Sequence, residues 1–478
     1  MGSYSENNSA GPYPAGDWRT MVAPPPVERT GLHGGPLSVP YLTLPDFIRF
    51  AIALAVIPLL VDGLVPQLEM AFFDGGYPIR VNFYLFFGLL VFWAYLRKRF
   101  YSSELVIPGV LLGSYVLLDA VHLMANEGIP PGEILRSSLV AFAFLMFATV
   151  ALSLRIGVSE KVIVRLILLM LLANFVVQLR QFQTNSPVLP EQARDMSWQV
   201  DTDVFIDGQQ RAFGLFANGL DAGVFCAFTG ALGVAYCRKF SRLPIGLSIL
   251  AISAFGCYAS YTRAPLIALV LSIITTFLLR PRFARFPIRF LPLVWGALAV
   301  VIIVVATASP FLGKGLENST STVMRMQGWF VCFQSFTSSS TLEKLLGSGI
   351  ASGLHVTAGH ELTKYVPFSI DNMFINLTLY FGLLCLVPAC FLIWKAWRFL
   401  QYRAVSGGTS LQIAAAAFGS TIFFLGMYNN GSTIWAAVVI ISALCVGEPE
   451  PTKVRSVVQS WGEGLQFQKS TQSDTPGI

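Results

Sequence analysis

Four arginines, Arg180, Arg211, Arg263 and Arg325, stand beside apolar segments of a 478-residue chain in which only 12% of residues are charged. Arg211 opens the stretch QQRAFGLFANGLDAGVFCAFTG, residues 209–230, and Asn218 and Asp221 follow it at the mouth of an apolar helix. Arg263 lies in SYTRAPL, where the chain passes from one apolar run to the next with almost no loop and Pro265 suits the first turn of the second helix. A guanidinium stays charged at any relevant pH and grips phosphate through two parallel N–H bonds. A cluster of them beside lipid therefore suits an anionic, lipid-linked ligand such as a diphosphate. A charge near hydrocarbon is costly unless it meets a partner, which makes an intramembrane arginine a functional candidate by default. The plainer reading of Arg211 is a headgroup anchor or a partner of Asp201, Asp203 or Asp207. Asn218 suits either a helix cap or a ligand hydroxyl. Asp221, one turn on, either orients an arginine or simply complements the helix dipole.

These side chains must be held by helices that cross a bilayer. The chain is 54% hydrophobic, and it contains about twelve apolar runs near the roughly 17–25 residues needed to span ~30 Å of hydrocarbon with every backbone group bonded. They centre on residues 46–66, 81–96, 104–124, 137–154, 162–180, 218–237, 243–261, 264–280, 288–309, 371–394, 411–428 and 432–446. Lys and Arg of short loops are retained on the cytoplasmic side. Arg97, Lys98 and Arg99, then Arg155, Lys161 and Arg165, then Arg238, Lys239 and Arg242, then Arg280, Arg282, Arg285 and Arg289, and finally Lys395, Arg398 and Arg403 all fall on one side of this alternation. The expected fold is all-α and polytopic, with both termini cytoplasmic. The two longest loops, about 181–217 and 310–370, lie on the outer face with the four arginines. Within the second loop, MRMQGWFVCFQSF spaces Met326, Trp329, Phe333 and Phe336 as one apolar helical face, fit to lie on lipid, to lid the arginine cluster or to pack on the loop itself.

Residues 1–44, with Pro24, Pro25 and Pro26, read as a disordered cytoplasmic tail, and 447–478 as a second. Residues 45–446 form the membrane domain. Most of the seven cysteines fall inside spans, Cys226, Cys257, Cys385 and Cys390 among them, without pairing or metal-ligand spacing. The net charge of +6 is the cytoplasmic loop bias and does not argue for nucleic acid. No acidic cluster on the outer face suits Mg²⁺, so neither a metal nor a cofactor is expected.

RAFGLFANGLDAGVF resembles the Arg-x-x-Gly-x-Phe-x-Asn segment of the bacterial O-antigen ligase and polymerase superfamily, the Wzy and WaaL-type membrane proteins. YTRAPLIAL is similar to that family's Ser-Arg-Gly-Ala helix start, with Thr262 in place of the serine. Arg325, Trp329, Gly347 and Gly349 resemble its stretch of an arginine and a tryptophan before a Gly-x-Gly loop, and Asn372 and Gly382 match its next helix. The resemblance covers roughly residues 165–395. It implies a GT-C-like, metal-independent glycosyltransferase of the bacterial inner membrane with its active site facing the periplasm. Its donor and acceptor would be undecaprenyl-diphosphate-linked glycans, with a chain-length regulator as a further partner beside membrane lipid. Arg211 and Arg263 would meet the charge that develops on the departing diphosphate, usually the largest catalytic contribution. Arg180 and Arg325 would hold the outer phosphate or glycan.

One departure selects a branch. Ligases of the family carry His-Asn where this chain has Asp371-Asn372. Asp371 with a raised pKa would serve as general base, or it would merely cap the following helix. His355 and His360 just upstream are rival bases or ordinary loop histidines. The missing histidine favours a polymerase joining one repeat unit to another over a ligase acting on lipid A core. A flippase or transporter is the alternative from another class, but the charges gather at one face and no repeat relates the two halves.

Overall fold

A computed structural model describes residues 63–65, 67–73, 158–189, 205–206, 209–216, 218–238, 240–279, 288–308, 329–334, 336–347, 372–405, 408–428 and several residues of 434–446. Of these, 86% are helical. The expected tails, spans two to four, and Asp371, Arg325, His355 and His360 lie outside the described residues, as does nearly all of the first span.

The helices follow from the apolar runs. They are α1 (Glu160–Thr184), α2 (Gly219–Cys237), α3 (Leu243–Ala259), α4 (Arg263–Leu278), α5 (Leu291–Ala308), α6 (Thr341–Leu346), α7 (Met373–Val405), α8 (Ser410–Gly419) and α9 (Ile422–Gly426). Among the described residues, four segments are long and apolar enough to cross a membrane: Glu160–Thr184, Gly219–Cys237, Ile288–Val305 and Gly382–Val405. α3, α4 and α8 are shorter apolar helices. The outward positions of the long helices are apolar too, with Leu169 of α1 65% exposed, Val301 of α5 54% and Val387 of α7 70%. Apolar residues on the outer as well as the inner face are what a helix facing hydrocarbon carries.

α2 is the central helix. Its alternation of glycine, alanine and phenylalanine lets neighbours approach closely, as small residues do between membrane helices. A Cβ at Gly233 would stand 2.8 Å from the Gly246 carbonyl of α3, and one at Gly223 would stand 2.8 Å from the ring of Pro265 on α4. Phe225 and Phe228 are fully buried, the latter edge-on to Phe418 of α8 at 5.7 Å. Two short ladders complete the order. β1 (Val158–Ser159) pairs in parallel with β4 (Cys445–Val446), and β2 (Phe205–Ile206) pairs antiparallel with β3 (Gln209–Gln210), Phe205 opposite Gln210.

Two runs read as single spans are interrupted. Residues 411–428 divide at Ser420 and Thr421, whose hydroxyls donate back to the carbonyls of Ala417 and Phe418 at 2.7 Å each, a competition that loosens a helix. Ser420 also meets Thr275 of α4, Oγ to Oγ1 at 3.0 Å. Within α7 the backbone of Gly382 takes φ 69° and ψ −178°, so two helices meet there at a kink. Close to it lie the Leu345 carbonyl and, 2.6 Å from where a Cβ would be, the Gly347 nitrogen. The kink is where helix α6 seats, its own start closed by a Ser340–Glu343 capping box.

The two ends of the bundle differ. At one, Glu160 Oε1 accepts from Leu411 N at 2.9 Å, Trp397 Nε1 donates to Arg289 O at 3.1 Å, and Arg403 donates to Ser442 O at 3.2 Å. The other end gathers the close of α1, the segment 209–218, the start of α2 and the α3–α4 turn.

Candidate functional site

The site is assembled around one face of α1. Asn174, Gln178 and Gln181, spaced four and three residues apart, are 0%, 1% and 0% exposed. They receive the chain that leads into α2. Gln181 Oε1 accepts from Gly214 N at 2.8 Å and Asn174 Oδ1 from Leu215 N at 2.9 Å. Gln178 Nε2 donates to Ala212 O at 3.1 Å and Gly256 O at 3.4 Å, and its Oε1 accepts from Asn174 Nδ2 at 3.0 Å. Ala212 N donates to Ala259 O at 2.9 Å. Buried amides are satisfied here by a buried loop backbone and the reverse, so both avoid the cost of desolvation. Gly214 closes the arrangement. Its φ is 63°, and a Cβ would run into the Asn174 carboxamide, whose Cγ lies 2.7 Å away.

Arg211 emerges from this clasp 9% exposed. It packs on the first turn of α2, for a Cβ at Gly219 would lie 3.2 Å from Arg211 Cβ and equally 3.2 Å from the Ser260 carbonyl of the α3–α4 turn. Asn218 is the N-cap of α2. Its Oδ1 accepts from Asp221 N at 2.8 Å and its Nδ2 donates to Asp221 Oδ2 at 2.6 Å. Of the two readings of Asn218, capping is the one these bonds carry, and Asp221 supplies the negative charge a helix start favours.

Arg263 is the first residue of α4 and is exposed. Thr262 stands at the N-cap but gives no side-chain cap; its Oγ1 lies 2.6 Å from Ser260 Oγ instead. The start of α4 thus differs from that of α2. Its first turn carries a guanidinium and that of α2 a carboxylate, and among the described residues its N-cap residue makes no side-chain cap over the amides of Arg263 and Ala264. Such amides together with a cation make an anion-binding start. Tyr261, at φ 50° beside Tyr258, has its phenol pushed up by burial and by that neighbour.

Arg180 is exposed and, at about 100° per residue, lies roughly opposite Gln178 on α1, so it does not join this clasp. Asn372 occupies a different helix start. It is 1% exposed, its Oδ1 accepts from Phe374 N at 3.0 Å and Ile375 N at 3.1 Å, and its Nδ2 donates to Met427 O at 3.3 Å. Asn372 therefore caps the start of α7. Trp329 is half-buried in the helical stretch 329–334. The apolar face expected there is rotated. Cys332 is 1% exposed and shares the inner side with Trp329 and Phe336, one i, i+3, i+7 stripe, while Phe333 is 65% exposed beside Phe330.

The residues that sequence reasoning passed over are the three amides of α1. Their signal was three polar residues on one stripe of an apolar span, which hydrocarbon does not tolerate without partners. Among the described residues no three His, Cys, Asp or Glu groups come together to hold a metal. No family model matches the chain, and no curated protein matches it.

Proposed function

We propose that the protein is a bacterial inner-membrane polysaccharide polymerase that joins undecaprenyl-diphosphate-linked repeat units at the periplasmic face. The observation that carries this reading is the pairing of a nearly buried Arg211 with the uncapped, arginine-bearing start of α4, both packed about the first turn of α2. Two cations and the backbone amides of a helix start near the first turn of α2 suit the diphosphate of a lipid-linked sugar. In the reaction an acceptor hydroxyl oxygen attacks the anomeric carbon of the donor. The bond from that carbon to the phosphate oxygen breaks, and its electron pair leaves with the diphosphate, where Arg211 and Arg263 meet the new charge. Asp371 takes the hydroxyl proton, and Arg180 and Arg325 hold glycan or outer phosphate. The resemblance of residues 165–395 to the O-antigen ligase and polymerase superfamily supports the same chemistry.

The test uses purified protein in nanodiscs with lipid-linked repeat units extracted from the host, with and without lipid A core. Arg211→Ala and Arg263→Ala should each slow chain growth by roughly two orders of magnitude at equal folded abundance, and lysine at either place should restore little. Growth at wild-type rate in both alanine variants sinks the clamp. Product found on lipid A core would make the protein a ligase. Transfer of labelled glycolipid across the bilayer without new glycosidic bonds would make it a transporter.

A further inference from the structure

The hairpin that delivers Arg211 also delivers a second group that the clamp does not use. Gln210 is 1% exposed, and neither its Oε1 nor its Nε2 has a hydrogen-bond partner among the described residues. Its backbone is not slack. Gln210 N donates to Asn185 Oδ1 at 2.6 Å, the residue pairs with Phe205 across β2 and β3, and two residues on Ala212 is held by Ala259 and Gln178. The contrast with α1 is sharp, since Asn174, Gln178 and Gln181 each have named hydrogen-bond partners. A buried amide with neither half met is disfavoured against a leucine or methionine of similar size, so its presence on a pinned strand calls for a partner that arrives.

We infer that Gln210 is a sugar-reading residue, one that hydrogen-bonds the glycosyl group next to the phosphate held by Arg211. This rests on the diphosphate reading of Arg211. The amide offers donors on one side and an acceptor on the other. A phosphate has only acceptors to offer and leaves Oε1 unmet. A sugar hydroxyl, or an acetamido group, both donates and accepts and meets both halves. Gln210 and Arg211 are consecutive in the chain, their Cα atoms ~3.8 Å apart. Gln210 and Arg211 together therefore distinguish a glycosylated diphosphate from a bare one.

The experiment measures binding to the full-length protein in nanodiscs. The probes are undecaprenyl diphosphate and lipid-linked oligosaccharide extracted from a host strain deleted for this gene. Wild type should prefer the oligosaccharide lipid, and Gln210→Leu and Gln210→Met should lower that preference roughly tenfold, the worth of one or two hydrogen bonds. The thermal midpoint of both variants should equal or exceed that of wild type, because an unmet amide has been removed. A preference unchanged in both variants, as when the amide's only partner is a buried water, overturns the inference. So does a midpoint lowered in both, which would make the amide part of the fold, and so does a wild type without preference. Excess N-acetylglucosamine 1-phosphate should not displace the lipid; displacement at equal concentration overturns the lipid-linked assignment. Failure of the underlying reading has its own signature. Arg211→Ala would then bind undecaprenyl diphosphate as wild type does, whatever Gln210 variants show.

Discussion

Replacing Gly214 with alanine tests the clasp at its tightest point. The glycine sits at φ 63°, and a Cβ there collides with the Asn174 carboxamide. A left-handed conformation costs an L residue about 1–2 kcal/mol. Moving the carboxamide aside also breaks the bond from Leu215 N to Asn174 Oδ1, 2.9 Å long, worth about 1 kcal/mol. The total loss is then roughly 2–3 kcal/mol. Only the first part is intrinsic to residue 214, so the two should separate in a double-mutant cycle. In an Asn174→Ala background the nearest collision partner is absent, so Gly214→Ala should cost the backbone strain and the smaller crowding of Gln178 Cγ, 2.9 Å from the new methyl, leaving a coupling of about 1 kcal/mol. Reversible unfolding of the four proteins in mixed micelles, followed by tryptophan fluorescence, measures each term. An equal cost in both backgrounds would refute the steric account. The clasp would then owe its glycine to backbone conformation alone.

Gly382→Ala should unseat α6 from α7, because φ is 69° and the new methyl meets the Leu345 carbonyl and Gly347 nitrogen, backbone that cannot swing away as a side chain can. The expected loss is at least about 2 kcal/mol, with faster proteolysis at 341–347 as the readout. Cys332 makes a pH-dependent prediction: burial pushes its thiol up to about 11, so the neutral form persists in the folded protein at pH 8. Alkylation of the folded wild type by an impermeant maleimide should be slow at pH 8 and rise about tenfold per pH unit toward that value, since the thiolate reacts. A cysteine placed at exposed Ser338 should label promptly in intact spheroplasts once Cys332 is replaced, and labelling only after lysis would reverse the orientation.

The helices of this protein were legible in its residues because hydrocarbon leaves an apolar run few alternatives to a helix of sufficient length. Runs centred on 243–261 and 264–280 correspond to Leu243–Ala259 and Arg263–Leu278, within two residues at each end. Asn218 before GLDAGVF was legible as either a cap or a partner for a ligand hydroxyl, and its bonds to Asp221 are those of a cap. The kink at Gly382 was not, since a glycine is compatible with a straight helix and its positive φ answers to the Leu345–Gly347 backbone arriving from another loop. The break at Ser420 and Thr421 depends on hydroxyls choosing local carbonyls over a continued helix, a balance that Thr275 of α4 helps decide. The arginines could be named from the chain, but their exposure could not. Arg211 is nearly buried and Arg263 exposed because burial belongs to the neighbours, here Gly219, Ser260 and the α1 amides, and these come from segments up to about ninety residues apart. The same holds for Asn174, Gln178 and Gln181. Their spacing announces a polar stripe, whereas the partners that satisfy it, the backbone of 212–215, are brought there only by the packing of α2 and α3 against α1.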